Sequence, residues 1–141
     1  MINDGLKLKG KLTIALNDEV VQEVPNLVVT AGKDYVASRI KDATATAMSH
    51  MAIGTGTATP AAGNTALGSQ SHRSALTSTT VSSNVVTYVA SFGAGDGTGA
   101  ITEAGLFNAS SGGDMLCRTT FSVVNKGSQD SMTITWEVTV S

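Results

Sequence analysis

Cysteine and histidine are scarce in this sequence, and their scarcity limits the chemistry it can support. Cys117 is the only cysteine, so neither an intrachain disulfide nor a multi-cysteine metal site can form. It lies on the apolar face of a predicted strand, which favours a buried, unreactive thiol. His50 and His72 are the only histidines, and neither has a ligand-like spacing to the other or to Cys117. The sequence therefore predicts no metal site, although folding could still bring both histidines to a carboxylate.

Aromatic residues, net charge and long apolar runs are also in short supply. One Trp, two Tyr and three Phe leave most of the core to aliphatic side chains. A net charge of −2 gives no reason to expect nucleic acid or an anionic membrane as a partner. No apolar run approaches the roughly 20 residues that span a bilayer, and the first residues lack the apolar segment of a signal peptide. We therefore expect a soluble chain that is made in the cytosol.

The clearest structural signal is a hairpin over residues 100–124. Two alternating runs flank a turn-forming cluster at 109–114, in which Gly112 and Gly113 can adopt positive φ angles. On the outgoing run, Gly105 is expected where another group approaches the backbone closely. The period of two predicts a half-buried β-hairpin. Its return run has an apolar face made by Met115, Cys117, Phe121 and Val123 and a polar face made by Arg118, Thr120 and Ser122.

A second hairpin is predicted at the N-terminus, within residues 1–25. Apolar and polar residues alternate along 6–16, and Asn17 with Asp18 supplies a tight turn, because both residues tolerate left-handed geometry. The chain then returns antiparallel until Pro25 ends the strand. We expect these residues to form an N-terminal hairpin or arm.

Three lysines alternate on the polar face of the first strand: Lys7, Lys9 and Lys11. A solvated face or a charged guard of a sheet edge is the simplest interpretation. A phosphate-binding ladder and contact with an acidic protein partner are the alternatives. All three lysines are candidate partner contacts.

One helix is predicted over residues 31–41. Thr30 is placed to cap its N-terminus. Val36 and Ile40, four residues apart, make a short apolar stripe. A helix of about three turns is marginal alone, so we expect this stripe to pack on a sheet.

A long loop, either ordered or flexible, is predicted over residues 57–71. Long loops in compact domains are often functional, and we expect this one to contact a neighbouring subunit. Its candidate contact residues are Thr57, Pro60 and Asn64.

Strand patterns dominate the rest of the chain, with further runs at 74–81 and 85–92. The last run is the cleanest and alternates in the apolar residues Met132, Ile134, Trp136, Val138 and Val140. We expect a mainly β chain forming one domain over residues 1–141. The predicted fold is an antiparallel β-sandwich or a jelly-roll-like barrel with one short α-helix near residues 31–41.

No sequence motif for catalysis is present. The glycine-rich segment at 93–99 is followed by a predicted strand, whereas a dinucleotide fingerprint requires a helix there. Glu103 has no second candidate carboxylate near it in sequence. A buried, hydrogen-bonded role or a subunit contact is therefore expected for Glu103 rather than general acid catalysis. The sequence predicts a non-enzymatic protein without a cofactor.

Three segments carry a resemblance to a known class of protein. They are HMAIGTG at 50–56, TALGS at 65–69 and ITEAGLF at 101–107. In this order, followed by TITW at 133–136, they resemble short bacteriophage virion proteins of the tail-fibre, decoration or general structural kind. The resemblance spans roughly residues 26–141, and ITEAGLF also looks like parts of larger tail-fibre attachment domains. It implies a non-enzymatic structural part of a phage particle.

Within that class we expect a capsid decoration or cement protein that stabilises the shell by contacting the major capsid protein. One compact domain cannot supply the attachment end, shaft and receptor-binding end of a fibre. A tail-associated fibre or adaptor component is the alternative, and a glycan-binding module is a further one. The expected location is the virion, on the capsid surface or on the tail. We also expect a homo-dimer or homo-trimer, in which the N-terminal hairpin and the long loop reach neighbouring subunits.

Overall fold

Two antiparallel sheets and one helix make up the computed structural model, which describes residues 5–141. The elements in chain order are β1 (Leu8–Leu16), β2 (Glu19–Pro25), β3 (Leu27–Val28), α1 (Thr30–Lys41), β4 (His50–Gly54), β5 (Gln70–Ala75), β6 (Ser78–Ser82), β7 (Val85–Phe92), β8 (Gly99–Phe107), β9 (Met115–Lys126) and β10 (Met132–Val140). Sheet A has the strand order β2-β1-β10-β7-β6, and sheet B has the order β3-β9-β8-β4-β5.

This architecture confirms the predicted mainly β chain with one short helix. The strands form two separate antiparallel sheets, which is consistent with the predicted β-sandwich. No helix within residues 5–141 is long and apolar enough to cross a membrane.

The main core lies between the two sheets, and β10 supplies its centre. The alternation predicted for this last strand is confirmed, because Met132, Ile134 and Trp136 have no exposed surface. Sheet B contributes Ile53 and Leu106 from the opposite side. The rest of the core is mainly aliphatic, as the shortage of aromatic residues predicts.

The N-terminal hairpin forms where the sequence predicts it. Asn17 and Asp18 have φ angles of 49° and 68°, the left-handed geometry that a tight two-residue turn requires. β1 also pairs along its whole length with β10, so the hairpin is built into sheet A. Residues 1–4 of the predicted arm lie outside the described residues.

The central hairpin is confirmed as the β8–β9 pair, but the predicted alternation along β9 is partly wrong. Gly112 and Gly113 have positive φ angles in the turn, as predicted. Between the pairs Ile101–Val124 and Glu103–Thr120, however, β9 contains more residues than β8. This bulge reverses the side-chain alternation, so that Val124 is buried and Val123 is 51% exposed.

The strand predicted over residues 74–81 is two strands in different sheets. β5 ends in sheet B and β6 begins in sheet A. The change of sheet occurs between Leu76, whose N–H donates to Ser49 just before β4 of sheet B, and Thr77, whose N–H donates to Val89 of sheet A. The side-chain pattern continues across this point, which is why sequence alone predicts a single strand.

α1 occupies the predicted position, but Thr30 is not its cap. The N-cap residue is Val29, and no side chain caps the helix. Instead, the N–H of Thr30 donates to the carbonyl oxygen of Ala62 at 2.8 Å. The long loop therefore satisfies one of the free N–H groups at the start of the helix.

The predicted packing face of α1 is confirmed only in part, because Val36 packs against the main core but Ile40 does not. The buried helix residues are Gly32 and Tyr35, whereas Ile40 is 74% exposed. Gly32 lies so close to β9 that a Cβ atom there would collide with the carbonyl oxygen of Leu116. The helix therefore docks through a glycine contact, and the Val36–Ile40 stripe is not fully covered.

This contact predicts an unusual effect of a glycine-to-alanine substitution. Alanine favours helix formation by about 1 kcal/mol over glycine. Nevertheless we expect Gly32→Ala to lower the free energy of unfolding by about 1–3 kcal/mol, because the added methyl group forces α1 away from β9. Urea denaturation followed by circular dichroism measures this change.

The matched control is Gly63→Ala in the long loop, where no atom lies within 4 Å of the added carbon. It should leave stability unchanged or raise it by about 0.4–1 kcal/mol. Wild-type stability of Gly32→Ala would show that α1 does not need this close approach.

Candidate functional site

Glu103 occupies the middle of sheet B, on the face turned away from sheet A. Ala104 and Leu106 belong to the main core. Glu103 and Phe107 alternate with them and point the other way, and Phe107 belongs to a second, smaller apolar cluster. Glu103 has no exposed surface, because the loop 55–69 covers this face of the sheet.

Arg118 on β9 is the charged partner of Glu103. The register places Glu103 opposite Thr120 and Gly105 opposite Arg118, so the two charged residues are diagonal neighbours on one face. The Arg118 Nε and Nη2 atoms donate to Glu103 Oε1 at 3.2 and 2.9 Å. Arg118 is only 1% exposed. The two side chains form a buried ion pair.

The backbone of loop 55–69 provides the other donors to Glu103. The N–H of Gly68 donates to Oε1 at 2.8 Å. The N–H groups of Gly56 and Ser69 each donate to Oε2 at 2.7 Å. Both ends of the loop are therefore held by the same carboxylate.

Arg118 holds the middle of the same loop. Its Nη1 donates to Asn64 Oδ1 and its Nη2 to the carbonyl oxygen of Ala58, each at 3.1 Å. Asn64 Oδ1 also accepts from the N–H of Ala61 at 2.8 Å. We call Glu103, Arg118 and the groups of loop 55–69 bound to them the Glu103 clamp.

Glycines allow the loop to approach the clamp. A Cβ atom on Gly56 would collide with the Glu103 carboxylate, and one on Gly54 would collide with the carbonyl oxygen of Ser69. A Cβ atom on Gly105 would lie 3.0 Å from Leu67 Cδ2, which confirms the close approach predicted for this glycine. The segments HMAIGTG, TALGS and ITEAGLF therefore meet in space at one buried carboxylate.

A second arginine ties the outer face of sheet B to the β8–β9 turn. The Arg73 guanidinium lies 3.7 Å from the centre of the Phe107 ring. Its Nη1 atom donates to the carbonyl oxygens of Ala109 and Gly112 at 3.0 and 2.9 Å. A cation–π contact of this kind supports the packing of Phe107 beside the clamp.

The Glu103 clamp is suited to holding structure rather than to proton transfer. Five hydrogen bonds, two from Arg118 and three from the loop backbone, occupy both carboxylate oxygens of Glu103. A general acid or base needs an oxygen that a substrate can reach. The expected role of Glu103 as a buried, hydrogen-bonded residue is therefore confirmed.

The clamp also determines the protonation state of Glu103. Burial by itself raises the pKa of the carboxyl group. The N–H groups of Ser69 and Gly68, the Arg118 side chain and the Gly56 N–H outweigh burial, and the pKa of Glu103 is lowered below its ordinary value. Glu103 is therefore ionised at neutral pH.

This lowered pKa predicts a loss of stability in acid. In the unfolded chain Glu103 titrates near its ordinary value of about 4.3. The stability that its ionisation contributes is fully present above that pH and is lost as the pH falls through the lower folded pKa. Urea midpoints measured between about pH 6 and about pH 3 should show this decline.

Asp42 and Asp130 should also contribute to the loss of stability in acid, because hydrogen bonds lower the pKa values of both carboxyl groups. Replacing both residues, as Asp42→Asn with Asp130→Asn, separates their contribution to the pH dependence of stability from that of Glu103. With both aspartates replaced, a free energy of unfolding that no longer changes with acid would exclude a contribution from Glu103.

The three candidate lysines differ in their surroundings. Lys11 Nζ lies 3.5 Å from Glu23 Oε1, and Lys11 also lies opposite Glu137 in the sheet. Lys7 and Lys9 are exposed near the start of β1. Lys11 therefore has acidic neighbours within its own chain, whereas Lys7 and Lys9 face solvent.

The three candidate loop residues also differ in their contacts and exposure. Asn64 belongs to the Glu103 clamp through its bond with Arg118. Thr57 is exposed and Pro60 is partly exposed. Asn64 is partly exposed as well, but its side-chain oxygen already accepts from Arg118, so Thr57 and Pro60 are the candidates left free for a partner.

The sequence pattern predicts Arg118 only as part of the polar face of the hairpin, with Thr120 and Ser122. In the structure Arg118 is buried. A signal was available, because centring the hairpin on residues 109–114 makes Glu103 and Arg118 diagonal cross-strand neighbours with opposite charges. What the sequence could not show is that the loop covers this face.

Cys117, His50 and His72 lie in separate surroundings in the structure. Cys117 is fully buried, and burial raises the pKa of its thiol, as expected for an unreactive cysteine. His50 contacts Ser49, and His72 lies against Phe92 and 4.0 Å from Asp96. Within residues 5–141, no three His, Cys, Asp or Glu side chains are grouped to hold a metal ion.

The comparison with protein families decides the class of this chain. A family model described as the N-terminal part of phage tail-collar fibre proteins matches residues 21–140. The chain belongs to this family. The matched part of the tail-collar fibre domain contains the whole Glu103 clamp. Neither a search of curated proteins nor a search of solved structures found a match.

Membership in the tail-collar fibre family confirms the predicted resemblance to structural proteins of phage particles. It also changes the ranking of the expected locations. A tail-associated fibre protein, which was the alternative, fits the family, whereas the favoured capsid decoration protein receives no support from it. The partners implied by the family are other virion proteins of the tail.

Proposed function

We propose that this tail-collar fibre domain is a non-enzymatic adaptor that joins a fibre to neighbouring tail proteins. The observation that carries the proposal is the Glu103 clamp, which holds loop 55–69 in one conformation while leaving much of it exposed. The family match to tail-collar fibre proteins supports a role for this loop in the tail.

A loop that is ordered before its partner binds has an advantage in conformational entropy. Ordering the backbone costs roughly 1–2 kcal/mol per residue, so a long ordered loop requires compensating contacts. The clamp supplies them beneath the loop, and the small side chains at 57–59 and 61–63 remain at the surface. A partner that binds an already ordered loop does not bear that entropy cost on binding. The exposed residue Thr57 and the neighbouring Pro60 are the proposed contacts.

We also propose that the domain assembles as a homo-dimer or homo-trimer, with loop 55–69 reaching a neighbouring subunit. Light scattering of the isolated chain measures this state directly. A monomer at all concentrations would leave only other tail proteins as partners of the loop.

Immunogold electron microscopy of purified phage particles tests the proposed location. Antibodies against the chain should label the tail, at the few positions that tail symmetry allows. Labelling spread over the capsid shell would overturn the adaptor proposal and restore the decoration protein.

A pair of loop variants tests the proposed contact surface. Thr57→Lys with Thr59→Lys adds charge to the exposed part of the loop, and we expect less of this variant in assembled tails. The matched control is Ser110→Lys with Ser111→Lys on the exposed β8–β9 turn, which should assemble like the wild type. Equal assembly of both variants would exclude loop 55–69 as a contact surface.

A further inference from the structure

An open groove of about 680 Å³ lies between the start of β1 and the exposed side of α1. Its apolar lining comes from Leu6, Leu8, Val36, Ile40 and Val140. Leu6 is 67% exposed and Ile40 is 74% exposed, so large apolar surfaces face water here. Exposed apolar surface that is contiguous and rimmed by polar groups marks interaction sites on soluble proteins.

The groove arises because α1 and sheet A do not close on each other. Val36 and Ile40 are four residues apart and share one side of the helix. Leu8 and Val140 are directly opposite each other in the β1–β10 pair. Gly32 anchors the helix to β9 instead, and the Val36–Ile40 stripe is left facing the groove.

Three lysines complete the lining: Lys7, Lys9 and Lys33. No acidic side chain of the described residues lines the groove. Among those same residues none of the three lysines forms an ion pair, in contrast to Lys11 with Glu23. The groove is therefore apolar at its floor and positively charged around it.

We infer that this groove binds an acidic peptide segment of another tail protein, with one large apolar side chain flanked by carboxylates. The inference rests on the proposed function, which supplies tail proteins as partners. The apolar side chain fills the space between Ile40 and Leu8, where burial contributes most of the affinity. The carboxylates meet Lys7, Lys9 and Lys33, which fix the orientation and exclude basic segments.

Two exposed apolar residues provide a matched pair of variants. Ile40→Glu removes the apolar wall and repels an acidic segment, whereas Val81→Glu changes a residue that is 71% exposed on β6, outside the groove. Neither side chain is buried, so both variants should unfold at the wild-type urea midpoint. We expect the amount of full-length Ile40→Glu chain in purified phage particles to fall about tenfold, with Val81→Glu unchanged.

Charge is tested separately from apolar contact. Replacing Lys7, Lys9 and Lys33 together with glutamine should reduce incorporation about tenfold, whereas Lys11→Gln should have no effect. Carbodiimide couples lysine amines directly to carboxylates and is applied to wild-type and Ile40→Glu particles. It should link a groove lysine to an Asp or Glu of a different tail protein, and this product should be missing from the Ile40→Glu particles.

Several results would overturn the inference. One is normal incorporation of Ile40→Glu into phage particles. Another is a set of carbodiimide products that join only two copies of this chain. A third is saturable binding of oleate in the groove when no cross-link to a tail protein forms. Immunogold labelling distinguishes this failure from that of the proposed function. If antibodies label the tail and Ile40→Glu is incorporated normally, only the groove inference is wrong. If antibodies label the capsid, the adaptor proposal is wrong.

Discussion

Replacing Glu103 with glutamine should lower the free energy of unfolding by about 3–5 kcal/mol. Glutamine keeps the size of the side chain, so the loss measures hydrogen bonding and charge. One carboxylate oxygen becomes an NH₂ group, which faces N–H donors in either orientation. At the Oε1 position it faces Arg118 and the Gly68 N–H, and at the Oε2 position it faces the N–H groups of Gly56 and Ser69. Arg118 also becomes a buried cation without its charged partner. Urea denaturation at neutral pH measures the change.

The matched control is Glu19→Gln on the edge strand β2, where the glutamate is exposed. Its effect should stay within about 0.5 kcal/mol. Hydrogen exchange localises the damage, because the amides of Gly56, Gly68 and Ser69 should lose protection in Glu103→Gln. If these amides keep their protection, loop 55–69 is ordered by something other than the clamp.

Replacing Trp136 with alanine removes the largest fully buried side chain and should lower the free energy of unfolding by about 3–5 kcal/mol. Trp136 has no exposed surface and lies between Leu12 and Tyr88 on the neighbouring strands. β10 is paired with β1 on one side and β7 on the other, so its backbone cannot move inward to close a cavity of indole size. Circular dichroism is the probe for denaturation, since Trp136 is the only tryptophan.

Trp136→Phe separates cavity formation from the indole N–H. Trp136 Nε1 has no hydrogen-bond partner among the described residues. Removing an unsatisfied buried donor recovers about 1–3 kcal/mol, which offsets much of the smaller cavity. We therefore expect a loss below about 1.5 kcal/mol for this variant. A loss as large as that of Trp136→Ala would indicate that the indole N–H is satisfied in solution, for example by a buried water.

The surface control for both tryptophan variants is Val81→Ala on β6. Val81 is 71% exposed, so its effect should remain within about 0.5 kcal/mol. A large effect of Val81→Ala would show that β6 is buried against a second molecule under the conditions of the measurement.

Much of the fold could be predicted because strands have a short period that single sequences display. The alternation ending in Val140 places Met132, Ile134 and Trp136 in the core, as observed. The turns at Asn17 and at Gly112 are equally local, because positive φ angles favour few residue types. Such features depend only on neighbours in the chain.

The sheet assignment and the packing of α1 could not be predicted in the same way. The chain changes sheet between Leu76 and Thr77 without a break in its side-chain pattern. Ile40 has the spacing of a buried helix residue but is left exposed, because the approach of Gly32 to Leu116 determines where the helix lies. Both outcomes depend on groups that are distant in sequence.

From the sequence by itself came the β class, the two hairpins, the position of the helix and the kinship with phage structural proteins. Only the tertiary structure brought the three signature segments together around Glu103. The physical reason is that the donors to its carboxylate are Arg118 and three backbone N–H groups, at Gly56, Gly68 and Ser69. Almost every residue carries an identical N–H group, so side-chain patterns cannot show which of them a buried carboxylate will bind.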